Sequence, residues 1–82
     1  MNLKKIIKEF VVQELAEDGF REKIHDDDSL IDSGILDSLN ILKLLCFMDE
    51  KFKIMPAEDE IFPENFESIN VIYNFIDEKL KK

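Results

Sequence analysis

The sequence predicts an all-α fold: a small four-helix bundle, three main helices plus a short third helix, with a long loop between helices one and two. Three observations predict it. Apolar residues recur at intervals of three and four in three stretches, no stretch alternates apolar and polar residues as a half-buried strand does, and 82 residues suffice for one domain but not two. The whole chain, 1–82, is therefore expected to form a single domain.

In the first stretch Leu3, Ile6, Ile7, Phe10, Val11 and Leu15 share one side of a helix, with Lys5, Lys8, Glu9 and Glu14 on the other. Asp18 and Gly19 supply its stop. From about Arg21 to Leu36 no period is sustained, and Asp26, Asp27, Asp28, Ser29, Asp32, Ser33 and Gly34 mark a long loop. Loops beyond about 12 residues in small domains tend to be functional or pinned to the core, and Leu30, Ile31, Ile35 and Leu36 are the expected pins. Asp37 or Ser38 then caps a second helix running to about Phe52, with Lys51 and Lys53 near its negative end. Pro56 marks a break. Glu58 to Phe66 has room for a short helix or for turns around Pro63, and Ser68 caps a last helix through about Leu80, with Ile69, Ile72, Tyr73, Ile76 and Leu80 in one stripe.

Eleven basic residues face 19 acidic ones, a net charge of −8. Nucleic acid is a poor partner for such a chain, because neutralising phosphates requires a basic face. Basic protein surfaces would be attracted instead, although an excess of acid also simply keeps a small protein in solution. Hydrophobic residues at 45% provide a modest core, charged residues at 37% a wet surface, and no apolar run approaches the roughly 20 residues a membrane span requires. The start of the chain interleaves Lys4, Lys5 and Lys8 with Ile6, Ile7 and Phe10, unlike the unbroken apolar core of a signal peptide. A cytoplasmic monomer is expected. The single cysteine, Cys46, leaves no intramolecular disulfide, as suits a reducing compartment, and a structural metal is not expected.

The second helix carries two apolar faces. At about 100° per residue, Ile41, Leu44, Leu45, Met48 and Phe52 cluster on the side expected to meet the core. Leu39, Leu42 and Cys46 form another stripe, and Phe47 falls among polar residues, so its ring is expected on the surface. A central helix touching neighbours on two sides would show the same pattern, so a docking surface made of Leu39, Leu42, Lys43, Cys46, Phe47 and Glu50 is one of two readings.

The segment Asp32, Ser33, Gly34, Ile35, Leu36, Asp37, Ser38, Leu39 runs from a glycine turn through an apolar pair to Asp-Ser-Leu opening an amphipathic helix. It resembles the attachment motif of the phosphopantetheine-binding acyl carrier protein family. The likeness extends over nearly the whole chain: leading helix, long loop, a helix ending at Phe52, then Ile54, Pro56, Glu58 and Asp59 before Phe62, Pro63, Glu64, Asn65, Phe66 and the final helix. The resemblance implies that Ser38 receives a 4'-phosphopantetheine arm from coenzyme A through a phosphopantetheinyl transferase, and that cargo then hangs as a thioester. It also implies that Asp37 helps the transferase and its magnesium recognise the site, and that Leu39 anchors the motif against carrier-binding enzymes. A phosphodiester at the first turn of a helix also suits elementary physics, since unpaired N–H groups and the positive dipole end face it. Asp-Ser-Leu in isolation is more commonly a plain helix cap, and it is the context that favours the carrier motif.

Housekeeping fatty-acid carriers usually have acid just after this motif, where the chain has Asn40 and Lys43. Leu36 before Asp37 looks more like discrete D-alanyl or aminoacyl carriers, which are typically loaded by a separate adenylate-forming ligase. The expectation is therefore an acyl or aminoacyl carrier serving a specialised pathway, handing cargo from a ligase or acyltransferase to downstream enzymes and catalysing nothing itself. A carrier of fatty-acid or polyketide synthesis and an unmodified helical adaptor are the alternatives.

A serine hydrolase requires a base and an oxyanion site, yet His25 is the single histidine and no Gly-x-Ser-x-Gly elbow exists. Asp26, Asp27 and Asp28 lack the alternating ligands, glycine and closing glutamate of a calcium loop, so solvated acid is expected. Cys46, within an apolar stripe, is expected as a small buried hydrophobe rather than a nucleophile.

Overall fold

The computed structural model of the chain describes residues 2–16 and 24–81. Helix α1, Leu3–Phe10, starts where the Asn2 side chain accepts the Lys5 N–H at 3.0 Å. It runs on into a wider π-type turn, Val11–Leu15, closed by Ala16 N–H donating to Val11 O at 2.9 Å. Four α-helical residues turn about 400°, so apolar residues spaced by four drift around the axis. A wider turn counters that drift, and Val11 and Leu15 are both buried along with Ile7. The backbone becomes extended at Ala16. The expected stop at Asp18 and Gly19 lies outside the described residues.

The long loop is pinned as its apolar residues predict, with Leu30, Ile35 and Leu36 buried and Ile31 half-buried. Its backbone is also clipped to the region where the last helix begins: Leu30 N–H donates to Glu67 O at 2.7 Å, and Asn70 N–H to Asp26 O at 3.1 Å. These bonds satisfy main-chain groups that the loop would otherwise bury unpaired.

Helix α2, Ser38–Phe52, buries Leu44 and Met48 completely, while Ile41, Leu45 and Phe52 at the margins of the expected core face are half-buried. It ends with Lys53 in the left-handed region, φ 58°. There Lys53 N–H donates to Asp49 O and Ile54 N–H to Met48 O, and the buried Ile54 side chain seals the turn.

The fourth helix expected between Glu58 and Phe66 does not form. Two separate 3-10 turns, Glu58–Glu60 and Pro63–Asn65, take its place, so the described residues contain three helices rather than four. Pro63 is the physical reason, since it has no N–H to continue a helix and disfavours helical backbone in the residue before it. Phe62 accordingly sits at φ −142°, ψ 157°. The Glu60 carboxylate anchors the first turn by accepting Ala57 N–H at 3.0 Å and pairing with Lys79 at 2.6 Å.

Helix α3, Ile69–Leu80, is capped by the Ser68 hydroxyl, which accepts Val71 N–H at 3.2 Å. Ile69, Ile72 and Ile76 enter the core, Tyr73 is half-buried, and Leu80 at the end of the expected stripe is exposed. All three helices and the loop meet around Phe66, Leu30, Leu44 and Met48, none of which has any exposure. The radius of gyration is 11.8 Å, where about 11.7 Å is usual for a domain of this length. The described residues contain no strand and no helix long and apolar enough to cross a membrane.

Candidate functional site at the start of α2

Asp37 and Ser38 compete to cap α2, and Asp37 does so. Its Oδ1 accepts Asn40 N–H at 2.8 Å while its carbonyl accepts Ile41 N–H at 2.9 Å. Ser38 is therefore the first residue inside the helix, exposed, and its hydroxyl makes no hydrogen bond among the described residues. An α-helix leaves its first N–H groups without internal partners, so those of Ser38 and Leu39 remain available beside that hydroxyl at the positive end of the dipole.

The turn ahead of Ser38 is built by Ser33 and Gly34. Ser33 Oγ donates to Leu30 O at 3.1 Å, and Gly34 N–H to Ile31 O at 3.1 Å. Gly34 has φ 85°, and a methyl group added there would meet no atom within 4 Å, so glycine answers a need of the backbone rather than of space. Beyond it Ile35 and Leu36 plunge into the core, which fixes the path of the chain two residues before Asp37.

Asn40 is a residue that sequence reasoning treated only as a missing acid. Its side chain is turned inward, where Nδ2 donates to Ile35 O at 2.5 Å and to Leu15 O at 3.4 Å. The first partner lies five residues away and the second 25, so no local pattern signals the arrangement.

The expected docking residues are brought together with one exception and two corrections. A groove of about 720 Å³ runs between α1 and α2, and Leu42, Lys43, Cys46, Phe47 and Glu50 all line it, whereas Leu39 does not. Leu39 and Leu42 are 61% and 59% exposed, so this apolar pair stands out beside Ser38. Phe47, expected on the surface, is half-buried, because α1 supplies Phe10 to cover it. Cys46, expected as buried, is exposed, lying in the wall of the open groove rather than in the core.

The other candidates are occupied with structure. Asp26 pairs with Lys8 at 3.0 Å and Lys4 at 3.8 Å, fastening the loop to α1, and Asp27 accepts the Asn70 side-chain amide, fastening it to α3. Asp28 accepts the backbone N–H of His25 at 2.9 Å, closing a turn in which the histidine is exposed. Among the described residues no group of three or more histidine, cysteine or acidic side chains is arranged to hold a metal. No protein-family model matches the chain, and no curated protein matches it either.

Proposed function

We propose that the chain is a carrier protein whose Ser38 bears a phosphopantetheine arm, so that an acyl or aminoacyl group held as a thioester is presented to successive enzymes. One observation carries this reading. Asp37 takes the cap that a serine in this position would ordinarily supply, leaving an exposed hydroxyl that bonds to nothing among the described residues at the end of a helix suited to a phosphodiester. The residues present fit the arm: a free nucleophilic oxygen, first-turn N–H groups, and the protruding Leu39 and Leu42 as a grip for the transferase.

In the modification, the Ser38 oxygen bonds to the phosphorus of coenzyme A that carries the pantetheine. The bond to the adenosine bisphosphate breaks, and the serine proton leaves with the released bisphosphate or a base of the transferase. Asp37, adjacent and exposed, is the residue through which the transferase and its magnesium recognise the site. The arm supplies a thiol for cargo, and tethering makes delivery to a docked enzyme a local event at high effective concentration. The groove beside Leu42, Cys46 and Phe47 is the face offered to an adenylate-forming ligase or acyltransferase and to downstream enzymes. The carrier works as a cytoplasmic monomer in a specialised pathway, with fatty-acid or polyketide synthesis as the alternative setting. The same groove also suits an unmodified helical adaptor gripping one partner.

Intact-mass spectrometry after incubation with coenzyme A, magnesium and a broad-specificity phosphopantetheinyl transferase separates the two. Wild type should gain one arm and Ser38→Ala none. A wild-type chain unmodified by every competent transferase would sink the carrier reading and leave the adaptor.

A further inference from the structure

We infer that Asn40 is a positioning residue for the modification of Ser38, an inference that rests on the carrier reading. Two carbonyls near the core have no helical partner among the described residues. Leu15 ends the π-type turn just before the backbone becomes extended, and Ile35 lies in the loop with its side chain buried. Leaving either unpaired would carry a desolvation cost, and the two hydrogens of a single amide nitrogen serve both. Since both partners are acceptors, only the orientation that turns Nδ2 toward them is chemically sensible.

The consequence for Ser38 follows from connectivity. The backbone N–H of Asn40 is held by Asp37 and its side chain holds Ile35, so the segment from Ile35 to Asn40 is closed into two nested rings with Ser38 inside both. The bond to Leu15 then references those rings to the end of the first helical segment. The hydroxyl itself stays free while the backbone that aims it is fixed from both sides. An aspartate here would set a carboxylate against two carbonyl oxygens, so the amide in place of an acid has a structural cause.

The test compares Asn40→Asp, which keeps shape but loses the donor, with Asn40→Ala and with Val71→Ala as a destabilised control in α3. Initial rates of arm transfer are measured against carrier concentration, with melting curves and amide exchange on the same samples. The Asn40 variants should lose about tenfold in kcat with KM little changed, because Leu39 and Leu42 are untouched while the nucleophile is less well aimed. Exchange should quicken at Leu36 and Ile41 but not at Ile72 or Ile76, and Val71→Ala should transfer at the wild-type rate. Asn40→Ser, which keeps one donor, serves where the other two fail to fold and should fall between. Wild-type kcat in folded Asn40 variants, or an equal loss in Val71→Ala, overturns the positioning role and leaves the carrier reading intact. An unmodified wild type overturns both.

Discussion

The Phe47 ring lies almost parallel to that of Phe10, 12° apart in plane with centroids separated by 4.0 Å, and so couples the middle of α2 to α1. Phe52 meets the same ring edge-on at 5.7 Å. Aromatic pairs of this kind add to the stabilisation that burial alone gives, so Phe47 belongs to the architecture as well as to the groove wall.

Phe47→Ala should therefore destabilise the domain by about 2 kcal/mol, less than a fully buried ring because Phe47 is only half-buried. Leu42→Ala, on an exposed side chain five residues earlier in the same helix, should stay within about 0.5 kcal/mol of wild type. Urea titrations with midpoint and slope resolve the two, and an unmoved midpoint for Phe47→Ala would show that the stack stabilises nothing. Leu42 is thus the cleaner probe of docking: its truncation should slow loading by partner enzymes without touching the fold.

Asp37 combines a cap with an exposed charge, and two substitutions separate them. Asp37→Ala should cost about 1 kcal/mol through loss of the bond to Asn40 N–H. Asp37→Asn keeps a capping oxygen and should remain close to wild type in stability, yet accept the arm more slowly if the charge recruits the transferase and its magnesium. Equal modification rates for Asp37→Asn and wild type would reduce Asp37 to a cap.

Two left-handed residues should respond in opposite directions. Gly34→Ala places a side chain at φ 85° with no clash to relieve, so the conformational penalty alone should cost about 1–2 kcal/mol. Lys53→Gly removes that penalty at φ 58° and should stabilise by up to about 1 kcal/mol, the gain being reduced by the greater freedom of glycine in the unfolded chain. Thermal melts of both variants test the pair, and destabilisation by Lys53→Gly would mean that the lysine side chain makes a contribution larger than the strain.

Much of this was legible in the residues. The boundaries of α2 and α3, the cap at Ser68 and the pins at Leu30, Ile35 and Leu36 are local matters of periodicity and short polar side chains, which the chain carries wherever it goes. The choice between one short helix and two turns near Pro63 was also local, but there a run of acidic helix formers competed with a residue that has no N–H. The sequence by itself determined which residues share a face and where each helix begins. Only the tertiary structure decided what covers each face: α1 reaches Phe47 while Cys46 stays exposed in the groove wall, Asn40 turns inward because two carbonyls wait there, and the three aspartates divide between two helices and a turn. Helical phase is a property of neighbours in sequence, whereas exposure and hydrogen-bond partners belong to segments that meet only when the chain closes on itself.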